Sequence, residues 1–421
     1  MFFKQKNKSA HKRGSEALGQ KGIALLLVLT AISVLTVAGV EFAYNTNVAY
    51  TLANNELDRL KARYLAQSAY QFMLLELKFD KVFRKVIEKQ NLGQLLGPAA
   101  KLPLCQQFPL STGLIRAVFT GSGEDLPEEV SQFVSLADSQ GALDFLNFEG
   151  DFDAACIDES TKINLNHFAK LDPEKSKKDD ANTYHGYKNY LVKILSHPQY
   201  ERLFEEADVK VENVVQNIAD WVDGNDVINE NEGSGSGAES SLYQQDVQTF
   251  EIKNDKLTTL SELYQVKGVS DVWFRPIAER FTIYGDGKIN ICAANEDLIE
   301  AIVTRFVELA PDLPPLRLAD PEVMQRLVAA VQEGCGAGGS GDALIKAIAD
   351  KLLAAIGLEA ADTEEVSSDS KFAQEALKQM ITDESRFFSL QLTGQSNDAI
   401  VRINAVVDIK GKNPKKWPVL Y

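Results

Sequence analysis

Hydrophobic positions fall into distinct regimes along the chain. Ile23 to Val40 is an unbroken apolar run with no charge, and the first charge after it is Glu41. Its eighteen residues, at ~1.5 Å per residue, span about 27 Å, close to a bilayer core of ~30 Å. Thr30, Ser33 and Thr36 are tolerable there because a helix back-bonds their hydroxyls. The pattern then becomes periodic: Leu57, Leu60, Tyr64, Ser68 and Phe72 recur at steps of three and four, joined by Leu65, Ala69 and Met73. Asp58, Arg59, Lys61 and Arg63 take the other faces. This predicts one long helix from Ile23 to about Lys89, with an interruption near Gly39 and an end by Gly97-Pro98. Its first half suits a membrane and its second half a sheet.

Short β-like runs follow, Leu114 to Thr120 and Ala155 to Leu165, among turn-rich segments. Lys170 to Asp180 reads as a charged linker. From Tyr187 to about Tyr284 the pattern is helical again, broken by a long loop. Ile289 to Ile291 reads as a strand, and Glu296 to Leu309, Ala343 to Leu353 and Lys371 to Ile381 as helices. Gly/Ser-rich Cys335 to Asp342 reads as a loop. Phe388, Leu390 and Leu392 alternate with polar neighbours, as do Val401, Ile403 and Ala405. That predicts an antiparallel hairpin, Arg386 to Thr393 and Ile400 to Ile409, joined by Gly394 to Asp398. The expected class is α+β, with a long N-terminal helix on an antiparallel sheet and an inserted all-helical domain. The expected divisions are 1–22, 23–97, 98–180, 181–285 (the inserted domain) and 286–421.

Charge sharpens the picture. The leader carries Lys4, Lys6, Lys8, Lys12, Arg13 and Lys21 against Glu16 alone, and ends at Gly22. Basic residues before the span predict an N-in, single-pass orientation with the bulk translocated. A cleavable signal peptide fits poorly, since the run is long and no A-x-A follows it; a plain signal anchor is the other simple reading. The whole chain has a formal net charge of −16, which argues against nucleic acid as a partner and is compatible with bound cations. Cys105, Cys156, Cys292 and Cys335 form no C-x-x-C; bridges in an oxidising periplasm and buried thiols both remain open.

No Lys or Arg lies between Lys210 and Lys253. The window holds Asp220, Asp223, Asp226, Glu230, Glu232 and Glu239, with Asn225 and Asn229, and Gly233 to Gly237 loosens its middle. Crowded carboxylates repel, and calcium relieves this by taking six to eight oxygens. An EF-hand does not fit, because Val227 falls at its fifth position. Leu260-Ser261-Glu262-Leu263 with Val266-Lys267-Gly268-Val269 and Ile277 looks like a helix-hairpin-helix, but its acidic surroundings favour a structural role over DNA binding. The four histidines form no H-E-x-x-H or triad, and G-x-S-x-G and P-loop motifs are lacking, so no catalytic residue is expected and the chain reads as a non-enzyme.

Together the pieces resemble the type II secretion minor pseudopilin K family. The resemblance is carried by Lys21-Gly22-Ile23-Ala24-Leu25-Leu26, by Ala62 to Ala69, and by Asn164-Leu165-Asn166. It continues in Asp220-Trp221-Val222-Asp223, Gly237-Ala238-Glu239 with Tyr243, Leu260 to Leu263 with Gly268, and Ile289-Asn290-Ile291. The sequence departs from the pattern at Cys292 and Ala293 and over Ala310 to Ser370. The resemblance implies a pilin-like fold and processing by prepilin peptidase after Gly22, leaving Ile23, typically N-methylated, as the N-terminus. Its fifth mature residue is then Leu27, where most pilin-like subunits carry Glu, which suits a subunit with nothing above it at the tip. The resemblance also implies other minor pseudopilins of I and J type and the inner-membrane secretion platform as partners. It further implies calcium near the acidic loop, carried here to Asp223, Asn225 and Glu239 first, and to Asp220, Asp226 and Glu230 second. The alternative is a minor type IV pilin of a pilus or DNA-uptake system.

Overall fold

The structure, a computed structural model, describes residues 16–89, 102–120, 148–173, 183–229, 237–243, 252–309, 316–337, 339–357, 364–410 and 419–420. Helix α1, Glu16–Lys89, is continuous through Gly39. The expected interruption is absent because a lone glycine removes no backbone hydrogen bond. Residues 22 to 57 of α1 are exposed throughout, and the segment is long and apolar enough to cross a membrane. The Thr30, Ser33 and Thr36 hydroxyls donate to Leu27 O, Leu29 O and Ile32 O at 3.0, 2.8 and 2.8 Å, so none is left unmatched. Farther along, Ala62, Leu65, Ala66, Ala69, Met73 and Leu77 form a buried stripe.

That stripe packs on a five-stranded antiparallel sheet of order β1-β2-β7-β8-β9. These are β1 (Leu110–Ser111), β2 (Asp151–Asp158), β7 (Phe387–Ser396), β8 (Ala399–Asp408) and β9 (Val419–Leu420). Phe152, Ala154 and Cys156 of β2 and Phe388, Leu390 and Leu392 of β7 point to α1 as strand alternation requires. Strands β7 and β8 pair out to Ser396 and Ala399. The expected five-residue connection therefore shrinks to Asn397-Asp398, with Asn397 at φ +50°, a left-handed value that Asn tolerates in tight hairpins.

The expected strand Leu114 to Thr120 is instead helix α2, Thr112–Thr120. A short apolar run does not separate helix from strand, and here Ser111 Oγ accepts the Leu114 amide at 3.1 Å and caps the first turn. The second expected β run, Ala155 to Leu165, is broken after Asp158 by a 3₁₀ turn over Glu159–Thr161. There the Asp158 side chain accepts the Ser160 amide at 2.8 Å.

Strands β2 and β7 are adjacent, yet residues 159–386 lie between them in sequence. This whole stretch is an insertion. It contains α3 (Tyr184–Leu195), α4 (Pro198–Glu206), α5 (Val211–Val222), α6 (Glu296–Leu309), α7 (Pro321–Gly336), α8 (Asp342–Ile356) and α9 (Glu364–Met380). Two-stranded parallel pairs tie it together: β3 (Ile163–Asn164) with β4 (Phe281–Thr282), and β5 (Ile289–Asn290) with β6 (Ile381–Thr382). Its core runs from Ile163 to Ile381 and is separate from the helix–sheet core. That core extends past residue 285 because Leu298, Ile302 and Phe306 bury the apolar face of α6 within it. Cys335, expected in a loop, ends α7 instead. Gly334 there lies so near Ile348 of α8 that a Cβ would sit 2.7 Å from the Ile348 Cα.

At the two crossings between the cores, buried Asp158 and Glu159 form a polar junction. Glu159 accepts from Ser389 Oγ and Lys162 Nζ, both at 2.6 Å, and from Thr282. Asp158 accepts from Ser385 at 2.5 Å and Asn290 at 3.4 Å. All four cysteines pair, Cys105 with Cys156 and Cys292 with Cys335. The Gly97-Pro98 helix end and most of the charged linker lie outside the described residues.

Candidate metal centre

Asp220 sits in the last turn of α5, Asp223 follows at its C-terminal cap, and Glu239 opens a 3₁₀ turn over Glu239–Leu242. The amphipathic face of α5 buries Val214, Val215, Ile218 and Trp221, which draws Asp220 inward with it. The backbone of Ile228 donates to Gly237 O at 3.1 Å, which closes the loop and returns the chain to the end of α5. One carboxylate oxygen from each of Asp220, Asp223 and Glu239 then lies within 4.8 Å of the others. All three residues are buried, at 3%, 0% and 0% exposure.

Neighbours satisfy two of the three acids. The Tyr184 hydroxyl of α3 donates to Asp223 Oδ2 at 2.7 Å and lies 3.2 Å from Asp220 Oδ1. Gln216 Nε2 donates to Asp220 Oδ2 at 2.6 Å, and Asn229 Nδ2 to Asp223 Oδ2 at 3.0 Å. Glu239 differs: both of its carboxylate oxygens are buried with no hydrogen-bond partner among the described residues. A fully buried, unpaired carboxylate is costly unless it is neutralised. Burial, and then the charges of Asp220, Asp223 and Asp226, push the Glu239 carboxyl up to about 9. Burial raises Asp223 to about 6, against the Tyr184 hydrogen bond, and raises Asp220 as well. Burial and the two aspartates also push the Tyr184 hydroxyl upward, keeping it a donor.

Three convergent oxygen donors, one set left unsatisfied, fit a hard divalent cation. An all-oxygen set suits calcium better than zinc, whose sites are built mainly from sulfur and nitrogen. The other expected residues stand differently. Asn225 Oδ1 accepts the Val227 amide at 2.7 Å, which uses it in a local turn. Asp226 is exposed and receives the Ser240 amide at 3.4 Å. Glu230 lies outside the described residues, as do residues 233–236.

Three participants were not singled out as site residues from sequence: Tyr184, Lys188 and Gln216. Lys188 is fully buried, with Nζ 2.6 Å from Asn229 O, bonded to Gln216 Oε1 and 5.6 Å from the Tyr184 ring centroid. A signal for it existed. Tyr184, Tyr187, Leu191 and Leu195 form the buried stripe of α3, and Lys188 occupies an apolar position of that stripe.

The helix-hairpin-helix look-alike is a 3₁₀ turn, Leu260–Gln265, and one helical turn, Phe274–Ile277. Gly268 between them adopts φ +88°, and a Cβ there would meet Val214 of α5 at 3.2 Å. Asn217 Nδ2 donates to Lys267 O at 2.9 Å. The hairpin thus packs on the helix that carries Asp220 of the acidic cluster. At the other end of the molecule, Gly22, Ile23 and Leu27 lie exposed on α1, the last two at 64% and 62%.

Residues 161–286, which contain the whole acidic site, match the family model described as Type II secretion system (T2SS), protein K. No curated protein matches the chain. A solved structure titled as the crystal structure of the GspK-GspI-GspJ complex from the enterotoxigenic Escherichia coli type 2 secretion system is similar at 15% identity. The match covers 65% of this chain and 79% of that one, with a TM-score of 0.39. Residues 161–286 are thus similar to the protein K family of the type II secretion system.

Proposed function

We propose that this chain is a minor pseudopilin that initiates and caps the tip of the type II secretion pseudopilus, with a calcium-ordered helical domain. The observation that carries the reading is the insertion of residues 159–386, with their own core, between adjacent strands β2 and β7. A repeating filament position must accommodate that second core at every step, whereas a terminal position need not. Leu27 supports the same placement. It stands fifth after Gly22, so the chain has no buried carboxylate there to meet the ammonium of a subunit above. Prepilin peptidase would cut after Gly22, with α1 held N-in across the inner membrane, next to the secretion platform, and the main domain in the periplasm. Other minor pseudopilins of I and J type would pack beside α1, whose exposed Tyr64, Leu75, Phe79 and Val82 offer apolar surface. Asp220, Asp223 and Glu239 would hold the cation, which neutralises their repulsion and ties the returning loop to α5.

The test is immunogold labelling of this chain on overproduced pseudopili. Label confined to filament ends is expected. Label repeated along the filament contradicts the tip assignment.

A further inference from the structure

We propose that Asp158 and Glu159 form a two-point clasp that fixes the inserted domain to the sheet as one rigid body, so that the axis of α1 dictates which way the inserted domain faces. The inference is independent of any metal. The inserted core and the helix–sheet core are joined in sequence by two crossings, after β2 and before β7. Domains linked in this way move against one another by default unless a large apolar interface holds them. Here buried polar groups stand at the crossings instead, with Asp158 at 0% exposure and Glu159 at 3%.

The two neighbouring acids grip different parts of the inserted domain. Asp158, the last residue of β2, takes the β5–β6 side. Asn290 of β5 donates Nδ2 to Ser385 Oγ at 3.0 Å, which leaves the Ser385 hydroxyl to donate to Asp158 Oδ2 at 2.5 Å. Glu159 takes the β3–β4 side. The Tyr284 amide donates to Thr282 Oγ1 of β4 at 3.1 Å, and that hydroxyl donates to Glu159 Oε2. The other Glu159 oxygen accepts Lys162 Nζ and, from β7 of the sheet, Ser389 Oγ, both at 2.6 Å. Each acid therefore joins the sheet to one strand pair of the inserted domain. A body held at one point swings about it; a body held at two separate points does not. Burying two acids is a poor route to stability, since apolar residues of similar volume often do as well. What the acids add is direction, because each hydrogen bond fixes the relative geometry of donor and acceptor.

The experiment is pulsed electron paramagnetic resonance on the full chain in detergent. Spin labels sit on ketone-bearing residues introduced at exposed Asn404 of β8 and exposed Glu201 of α4, which leaves the disulfide cysteines untouched. The otherwise wild-type chain is expected to give one narrow distance. Ser385→Ala with Ser389→Ala removes one hydroxyl from each grip. The distance distribution should then broaden or split, while near-ultraviolet circular dichroism shows both cores still packed. Each single substitution should broaden it less. Thr304→Ala, which removes a 2.8 Å hydroxyl bond lying wholly within α6, should leave it narrow. A broad distribution in the wild type, or an unchanged width in the double variant, overturns the proposal. Equal broadening in Thr304→Ala means general loosening and overturns it too. Should the double variant not fold, the single variants decide, and no broadening in either is equally fatal.

Discussion

Gly394 lies against Ala62 so closely that a Cβ built on Gly394 would sit 2.0 Å from the Ala62 carbonyl oxygen and 2.5 Å from the Ala66 amide. The contact seats α1 on β7 at the point where the helix leaves the exposed N-terminal stretch and enters the core. Gly394→Ala must push the helix off the sheet or distort β7. Overpacking of this kind costs on the order of 1–3 kcal/mol. A thermal melt of the full chain in detergent should show a clear loss, while Gly224→Ala, where a Cβ meets nothing within 4 Å, should not. Equal effects at the two glycines would refute the close-seat argument.

Metal removal is expected to destabilise the inserted domain. A site occupied at a hundred times its Kd gives about 2.7 kcal/mol of stabilisation. Calcium should therefore raise the melting temperature of the wild type, and chelation should reverse the rise. Glu239→Gln separates the charge from the fold. In chelator it should melt higher than the wild type, because it removes a buried unpaired carboxylate. In calcium it should gain little or nothing. A Glu239→Gln protein that still responds fully to calcium would move the metal elsewhere.

The pH dependence without metal has a defined sign. Glu239 titrates near 9 in the folded chain against 4.5 for its ordinary value, and Asp223 near 6 against 3.8. Across these windows the folded state holds more protons than the unfolded state, so stability falls as pH rises. The Asp223 part is complete by about pH 6, and the Glu239 part continues toward about pH 9. In saturating calcium the acids are ionised in the folded state and that decline should flatten. Melts in chelator and in calcium, between about pH 6 and pH 9, test this; parallel curves would count against a metal held by these acids.

The Cys292–Cys335 bridge joins the end of β5 to α7 across a separation of 43 residues. Closing a loop of that length in the unfolded chain is worth about 4 kcal/mol in the chain-entropy account. Replacing both cysteines by serine should destabilise the inserted domain by a comparable amount, seen as a lower melting temperature. Peptide mapping without reduction should recover the 292–335 and 105–156 pairs. Recovery of 105–335 or 156–292 would contradict the separation of the two cores, which puts Cys105 and Cys156 in one and Cys292 and Cys335 in the other.

Much of the architecture was legible because it rests on local periodicity. Phe388, Leu390 and Leu392 gave away the face of β7, and the bounds of α6 follow directly from its apolar spacing. The run Leu114 to Thr120 was not legible, since the Ser111 cap and burial of Ile115 decide between helix and strand. Of the acidic window, only tertiary structure could say which acids meet. Asp220 and Asp223 are held together by the end of α5, but Glu239 reaches them only through a loop closure that no local pattern encodes. Tyr184 and Lys188 join from a helix more than thirty residues earlier. Only the misplaced lysine in an apolar stripe hinted at that.

The central claim, that this chain is a processed pseudopilin, is tested most directly by mass spectrometry of the N-terminus of the native, membrane-extracted protein. The account predicts a chain beginning at Ile23 and carrying an N-methyl group. An intact Met1, or an N-terminus beyond Val40, would contradict it.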